Sequence, residues 1–370
     1  MDLNSPIITP SARQVVGRLL LNGIEVPFVS ADVDSNAFSS ADTFGVVFAL
    51  SAMPPGMDLL SWWTDQTELK VQISVGLISK DVTDWETLIV GLVDHISYQP
   101  GRFEIRIEGR DFTARLIDAK TSEKFANMTT SQVATLLATR RGLKPVVTAT
   151  KTSVGGIYKY DHTHVSSEST EWDVLSYFAG IDGFQLYVKG EELHYEPATD
   201  PGKADQYVIQ WCDPGITAYP TANVADDIAF ERDLTLAKGV TVHVRSWYKG
   251  KVVDASYPSA KPRGITPGSS APKRQVYNII RSGLDHQAAL QLAQTLHHQI
   301  TRHEMRMSCS MPGDNILMPN TIVRVQGTAS GFDQLYYVDS VRRSLSFESG
   351  YTMMLTAKNH NPNTQVQYEN

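Results

Sequence analysis

Between Arg102 and Arg110 the chain alternates charged and apolar positions. Phe103, Ile105 and Ile107 fall on one side; Arg102, Glu104, Arg106, Glu108 and Arg110 fall on the other. Side chains on an extended chain repeat every two residues, so the pattern predicts a strand with one oily face and one face of five charges of alternating sign. From Val15 to Ile117 the same period recurs in VVGRLLLNGIEV, FGVVFALSA, ELKVQISVG, TLIVGLVDHISY and RFEIRIEG, parted by Gly, Pro, Asn or Asp turns. This is the grammar of a β-rich unit, a barrel or a sandwich.

After Asp118 the period changes. TTSQVATLLATRRG places Thr129 or Thr130 at a cap, Val133, Leu136 and Leu137 on one face and Gly142 past the end, which predicts a helix. STEWDVLSYFAG predicts a second, capped by Thr170 and closed by Gly180 or Gly183, and leads into a hairpin, FQLYVKGEELHYEP, turning at Lys189-Gly190. Strand patterns return in QYVIQW and TLAKGVTVHVRSWYKGKVV. Residues 254–275 carry Pro, Gly and Ser too densely for regular structure and predict an exposed loop. A helix near 285–303 follows, with Asp285 as cap and Ala289, Leu292, Leu296 and Ile300 as its buried stripe. More strands and a loose tail, 361–370, end the chain.

The expected fold class is thus α+β, dominated by β. A first barrel spans 1–117 and is completed by strands in 206–235, an α/β insert spans 118–205, and a second barrel spans 236–360. A faint repeat supports two related barrels. ELKVQISVG, a strand carrying Val93-Asp94, a turn with Gly101 and an alternating strand are echoed by TIVRVQG, a strand carrying Val338-Asp339, Gly350 and YTMMLTAKN.

Composition narrows the function. Of 370 residues 42% are hydrophobic, enough for more than one core, yet no apolar run approaches the roughly 20 residues that cross a bilayer. The start, MDLNSPIITPSARQ, has no basic segment followed by a greasy one, so synthesis in the cytoplasm is expected without a secretion signal. Cys212 and Cys309 are too far apart, and too isolated, to suggest a zinc site or a disulfide frame. With 33 Lys and Arg against 40 Asp and Glu the net charge is −7, which argues against tight DNA binding but not against passage of DNA.

Candidate chemistry is sparse. Glu171, Asp173, Asp182, Glu191, Glu192 and Glu196 contain the two carboxylates a glycoside hydrolase needs, but their places in a first helical turn and at a hairpin favour solvated or capping roles. His286, His297, His298 and His303 gather near one helix, at spacings that do not bring ligands together on one face. No GxSxG, P-loop or dinucleotide fingerprint occurs, and no catalytic, cofactor or metal residue is assigned. Lys261, Arg263, Lys273 and Arg274 make the 254–275 loop a candidate contact with a phosphate or a neighbouring subunit. The ladder Arg102 to Arg110 is near neutral in sum; it fits a wall at a lumen or a protomer boundary, or simply the wet face of a sheet.

The order of segments resembles the late control protein D-like family of phage tail baseplate hubs, which includes the hub of Mu-like contractile phages. The carriers are WETLIVGLVDHISYQPGRFEIRIEGRDFTARLID (85–118), with its G-x-V-D and G-R-D passages, and MTTSQVATLLATRRGL (128–143). STEWDVLSYFAGIDGFQLYVKGEELHYEP (169–197) follows, then MPGDNILMPNTIVRVQG and YYVDSVRRSLSFESGYTMMLTAKN. The resemblance implies two tail-tube-like barrels per protomer and a homotrimer forming a pseudo-sixfold ring. It also implies the hexameric tail tube protein, the trimeric central spike and other baseplate proteins as partners, with genomic DNA only in passage, in the virion tail baseplate. Some family members carry fused cell-wall hydrolases, and none is expected within these 370 residues. The readings it displaces are a wall-degrading enzyme using the carboxylates near 171–196 and a β-rich binding module unrelated to tails.

Overall fold

The computed structural model describes residues 14–37, 40–79, 82–123, 125, 127–152, 169–197, 203–212, 227–234, 239–258, 275–301 and 305–359. The α+β, β-dominated class holds. Most strands belong to one 13-stranded sheet. Its first half contains β1 (Gln14–Leu21), β2 (Ile24–Glu25), β3 (Ser30–Asn36), β4 (Thr43–Ala49), β5 (Lys70–Ser79), β6 (Val82–Gln99) and β7 (Glu104–Asp111), with the short helix α1 (Leu60–Thr64) between β4 and β5. The strands run β2-β1-β5-β6-β7-β4-β3, antiparallel throughout. Alternation turns Leu19, Val33, Val46, Phe48, Val71, Ile105 and Ile107 into one buried core that reaches from β1 to β3, so this half is curled.

The second half contains β11 (Gln206–Gln210), β12 (Asp227–Arg232), β16 (Met305–Pro312), β17 (Ile322–Gln326), β18 (Leu335–Ser346) and β19 (Gly350–Asn359). β17, β18 and β19 form an antiparallel meander; β16 and β12 extend it past β19, and β11 lies parallel to β17. Strands β11 and β12, read from the sequence as completing the first barrel, therefore pair with β17 and β16. The halves are joined because β18 also pairs with β3, from Ser340↔Asn36 to Ser346↔Ser30. Among the described residues the ladder does not close on itself. The rim of the first half instead meets the second through side chains: a Cβ on Gly17 would lie 2.4 Å from the Phe28 ring and 2.6 Å from Leu345.

Two smaller sheets are inserted. The first follows α2 (Ala114–Ile117) and carries α3 (Thr130–Arg140) and α4 (Glu171–Asp182) on a sheet of β8 (Lys144–Val147), β10 (Glu192–Pro197) and β9 (Phe184–Lys189). Both helices begin with reciprocal capping boxes, Thr129 with Gln132 and Thr170 with Asp173, and α4 ends on Gly183 at φ +69°. Val133 and Leu137 pack inward as expected; Leu136 is exposed, and Ala134 and Ala138 take the remaining inner positions.

The second inserted sheet has the order β14 (Lys251–Tyr257), β13 (Val240–Tyr248), β15 (Gln275–Ile280) and is covered by α5 (His286–Thr301). Val240, Val242, Val244, Ala255, Ala289 and Ala293 form its own core. Asp285 caps α5 by accepting from the Ala288 N–H at 2.8 Å. No described helix is long and apolar enough to cross a membrane.

Candidate functional site

The two motifs of the opening segment, Gly91-Leu92-Val93-Asp94 and Gly109-Arg110-Asp111, face each other across β6 and β7. The register slips between Val93 and His95, so Asp94 is the extra residue of a β-bulge. The bulge aims Asp94 at Arg110, whose Nε and Nη2 donate to its two oxygens at 2.7 and 2.9 Å; Asp118 accepts from the remaining face of the same guanidinium at 3.1 and 3.0 Å. The hydrogen bonds from Asp94 first, then Asp118, hold the Arg110 pKa above its ordinary value. Both glycines are needed for the close approach. A Cβ on Gly91 would lie 2.2 Å from the Arg110 carbonyl oxygen, and one on Gly109 2.1 Å from that of Leu92. Asp111 then turns inward and accepts from the Thr113 N–H at 3.1 Å and hydroxyl at 2.9 Å, starting the turn into the insert.

The second meander repeats this device. Its register slips between Val338 and Ser340, which makes Asp339 the extra residue, and Lys358 Nζ reaches Asp339 at 2.5 Å. Arg110 and Lys358 hold the same station, one residue beyond the partner of the valine that precedes each bulge. The Val93 N–H donates to Leu69 at 3.0 Å and the Val338 N–H to Thr321 at 3.1 Å, each acceptor standing just before the first strand of its meander. The faint sequence echo is therefore a structural repeat down to the bulge.

The charged ladder divides. Arg106 donates to Glu108 at 2.8 Å along β7, while Arg102, expected on the same strand, lies in the turn before it, 3.8 Å from Glu104; neither pair is buried, so each contributes at most about 1 kcal/mol. Arg110 leaves the ladder for Asp94. Across the neighbouring strands Asp32, Asp34 and Arg342 join Arg106, Glu108 and Arg110 around one shallow concavity of mixed sign. Phe103 does not share the inner face with Ile105 and Ile107. It lies in the turn before β7 at φ +54°, which breaks the alternation, and its ring is exposed.

Each of the acidic side chains near 171–196 has a structural partner. Glu171, expected at a solvated or capping position, is buried at 1% exposure; Arg141 grips it with two hydrogen bonds at 2.6 and 2.8 Å, and Arg140 lies 3.4 Å away. Asp173 completes the α4 cap. Asp182 accepts from Thr130 and Thr152, both at 2.6 Å, and from Tyr195. Glu191 pairs with Lys70, Glu192 with Lys144, and Glu196 accepts from Tyr187 at 2.8 Å and Gln185 at 3.0 Å.

Of the histidines, His286 opens α5 and His297 meets the Tyr257 ring edge to face at 5.1 Å, while the His298 side chain and His303 lie outside the described residues. Among the described residues no three His, Cys, Asp or Glu side chains gather as metal ligands do. Lys261, Arg263, Lys273 and Arg274 also lie outside them. Cys309 is buried, and burial pushes its thiol up to about 12.

Two features escaped the sequence reading. A cavity between the large sheet and the first insert is lined in part by Asp42, Asp111, Tyr187 and Glu196. Burial lifts Asp42 to about 6; burial, then the charge of Asp42, lifts Asp111 well above its ordinary value. The other is Arg343, at 2% exposure the largest fully buried side chain among the described residues. Its Nε donates to the Asp314 carbonyl at 3.2 Å and its Nη2 to that of Leu317. The alternation Val341-Arg343-Leu345 points it inward, and that phase was the available signal.

No family model and no curated protein matches the chain. Solved structures do match. A tail protein from Neisseria meningitidis MC58 superposes with a TM-score of 0.69 at 15% identity, covering 95% of this chain and 98% of its own. The 43 kDa tail protein of prophage MuSo2 from Shewanella oneidensis gives 0.64 at 13% identity, covering 94% and 98%. An Escherichia coli type VI secretion system component, itself structurally similar to T4 bacteriophage tail proteins, gives 0.52 at 10% identity, covering 95% and 79%. At these identities the likeness speaks to fold, and it agrees with the resemblance carried by the sequence motifs: this chain has the fold of solved phage tail proteins along nearly its whole length.

Proposed function

We propose that the chain is a structural hub of a phage tail baseplate. Three copies, each contributing two tube-like units, form a pseudo-sixfold ring that joins the hexameric tail tube to the trimeric central spike and surrounds the ejection channel. The observation that carries this reading is the repeated meander with its Asp94 and Asp339 bulges, set in a fold shared with tail proteins. A chain built of two like units, assembled threefold, presents six like units to a sixfold partner and three whole copies to a threefold one.

The first unit reaches residue 117 and residues 118–205 form the insert. The second unit reaches 360 and takes in the strands of 206–235 and the α5 sheet. Each unit completes its barrel against sister copies, which hides sheet edges that would otherwise invite aggregation. The Arg102, Glu104, Arg106, Glu108 and Arg110 face lines the lumen or a protomer boundary, where its mixed charge gives a sliding phosphate backbone little to hold. The role is mechanical and non-catalytic, in the virion tail, after synthesis in the host cytoplasm.

Light scattering tests the reading. The purified chain is expected at three times its 40.9 kDa mass alone, or as a trimer joined to the spike once spike protein is added. A species that stays monomeric and joins neither tube nor spike would overturn it.

A further inference from the structure

The first insert meets the large sheet across a hollow. On β9 and β10 alternation sends Leu186, Val188, Leu193 and Tyr195 into the insert's own core and leaves Gln185, Tyr187, Lys189 and Glu196 on the other face. Those four line the cavity of about 430 Å³, whose opposite wall carries Asp42 and Asp111. Protein interiors are close-packed, so a polar gap of this size marks a contact that folding has left unfilled. Two ion pairs span it, Lys189 with Glu86 at 3.3 Å and Lys70 with Glu191 at 2.5 Å. The remaining attachment is apolar, with Val90 and Phe112 of the large sheet packed into the insert's core. The insert is thus fastened by one apolar patch beside a polar gap.

Asp42 and Asp111 sit together in that gap. The Asp111 N–H donates to the Asp42 carbonyl at 2.9 Å, and the charge of Asp42 acts on Asp111. Asp34 on β3 and Arg343 on β18 act on Asp42 with opposite signs. From the insert they are faced by Tyr187, Lys189 and Glu196, with His194 stacked on Tyr187 at 4.6 Å, and Asp205 completes the lining. Lys189, the only cation among the described lining residues, is already engaged by Glu86. The closed contact therefore offers ionised Asp42 and Asp111 no free cation from the insert, whereas opening gives them water.

We propose that this contact is a proton-operated joint: protonation of Asp42 and Asp111 lets the insert seat on the large sheet, and their ionisation swings it open. The joint is independent of the hub reading. Linkage sets the sign. Burial raises both carboxyls in the closed state, so closure is unopposed below their ordinary value and increasingly opposed as pH rises through the raised one. For Asp42, raised from 3.8 to about 6, the opening equilibrium should grow by up to about tenfold between pH 5 and pH 8.

Double electron–electron resonance on the full chain tests this, with spin labels on Leu136→Cys of α3 and Ile96→Cys of β6 in a Cys212→Ser background. Both labelled positions are exposed and Cys309 is buried. One distance should dominate at pH 5, and a second should grow about tenfold relative to it by pH 8. Asp42→Asn should lose most of that response and Asp42→Asn/Asp111→Asn all of it. Asp42→Asn retains an acceptor for the Asn36 N–H, so its answer stands should the double variant not fold. Lys189→Met, which removes an ion pair spanning the gap, should raise the open share at both pH values. A single unchanged distance at both pH values, in the wild type and in Lys189→Met, means a rigid contact and overturns the proposal. A response that survives the carboxyl variants, or that vanishes instead in His194→Gln, overturns it equally.

Discussion

Arg343 shows how one side chain can hold a loop that bridges the halves. Its guanidinium, on the inner face of β18, satisfies the carbonyls of Asp314 and Leu317, while Asn315 in the same loop donates to Val75 of β5 at 2.9 Å. Arg343→Ala would empty a large buried volume and orphan two carbonyls, so a loss of about 3–5 kcal/mol in urea unfolding is expected. Asp42 works in the opposite sense. A carboxyl raised from 3.8 to about 6 by burial costs stability only when ionised. The cost is absent below the lower value, grows as pH climbs between the two and is complete above the higher. Asp42→Asn keeps an oxygen to accept from the Asn36 N–H, now 2.9 Å from the carboxylate. Because Asp42 is only partly buried, the variant should gain about 1–2 kcal/mol at pH 7.5, not the full shift. Its urea midpoint should also vary less between pH 4 and 6 than that of the wild type.

At the scale of elements, the bulged meander depends on two glycines that let β6 and β7 approach. Gly109→Ala drives a Cβ against the Leu92 carbonyl and the Phe44 ring, forcing β6 and β7 apart next to the Asp94–Arg110 clasp. A loss of about 1–3 kcal/mol is expected, with faster amide exchange confined at first to β6 and β7. Gly23→Ala, at a turn with nothing nearby but φ +83°, provides the control for backbone strain without crowding. Elements whose signals are local were legible in the sequence. Caps at Thr129 and Thr170 fixed α3 and α4, Asp285 fixed the start of α5, and alternation marked β5, β6 and β7. Partner choice was not legible, because hydrogen-bond pairing between distant strands leaves no local trace. Residues 240–257 and 275–301 read as part of a barrel with a helix, yet pair as a separate three-stranded sheet that packs with that helix around its own core. Phe103 matched the phase of Ile105 and Ile107, and only its positive φ removed it from their face.

For the whole molecule, the mixed charge of the concave face, the curled first half and the repeated bulges are the features that the proposed hub would use. The alternating charges of β7 were readable in the sequence, and the concavity they share with Asp32, Asp34 and Arg342 was not. The junction of β3 with β18 has a mechanical consequence. Seven consecutive residue pairs, Ser340↔Asn36 to Ser346↔Ser30, lock the halves side by side with backbone hydrogen bonds. A push along the strands loads these bonds together in shear, whereas a hinge would have to break them one after another. The two halves should accordingly twist as a single stiff plate, delivering torque from one rim to the other without flexing at the waist.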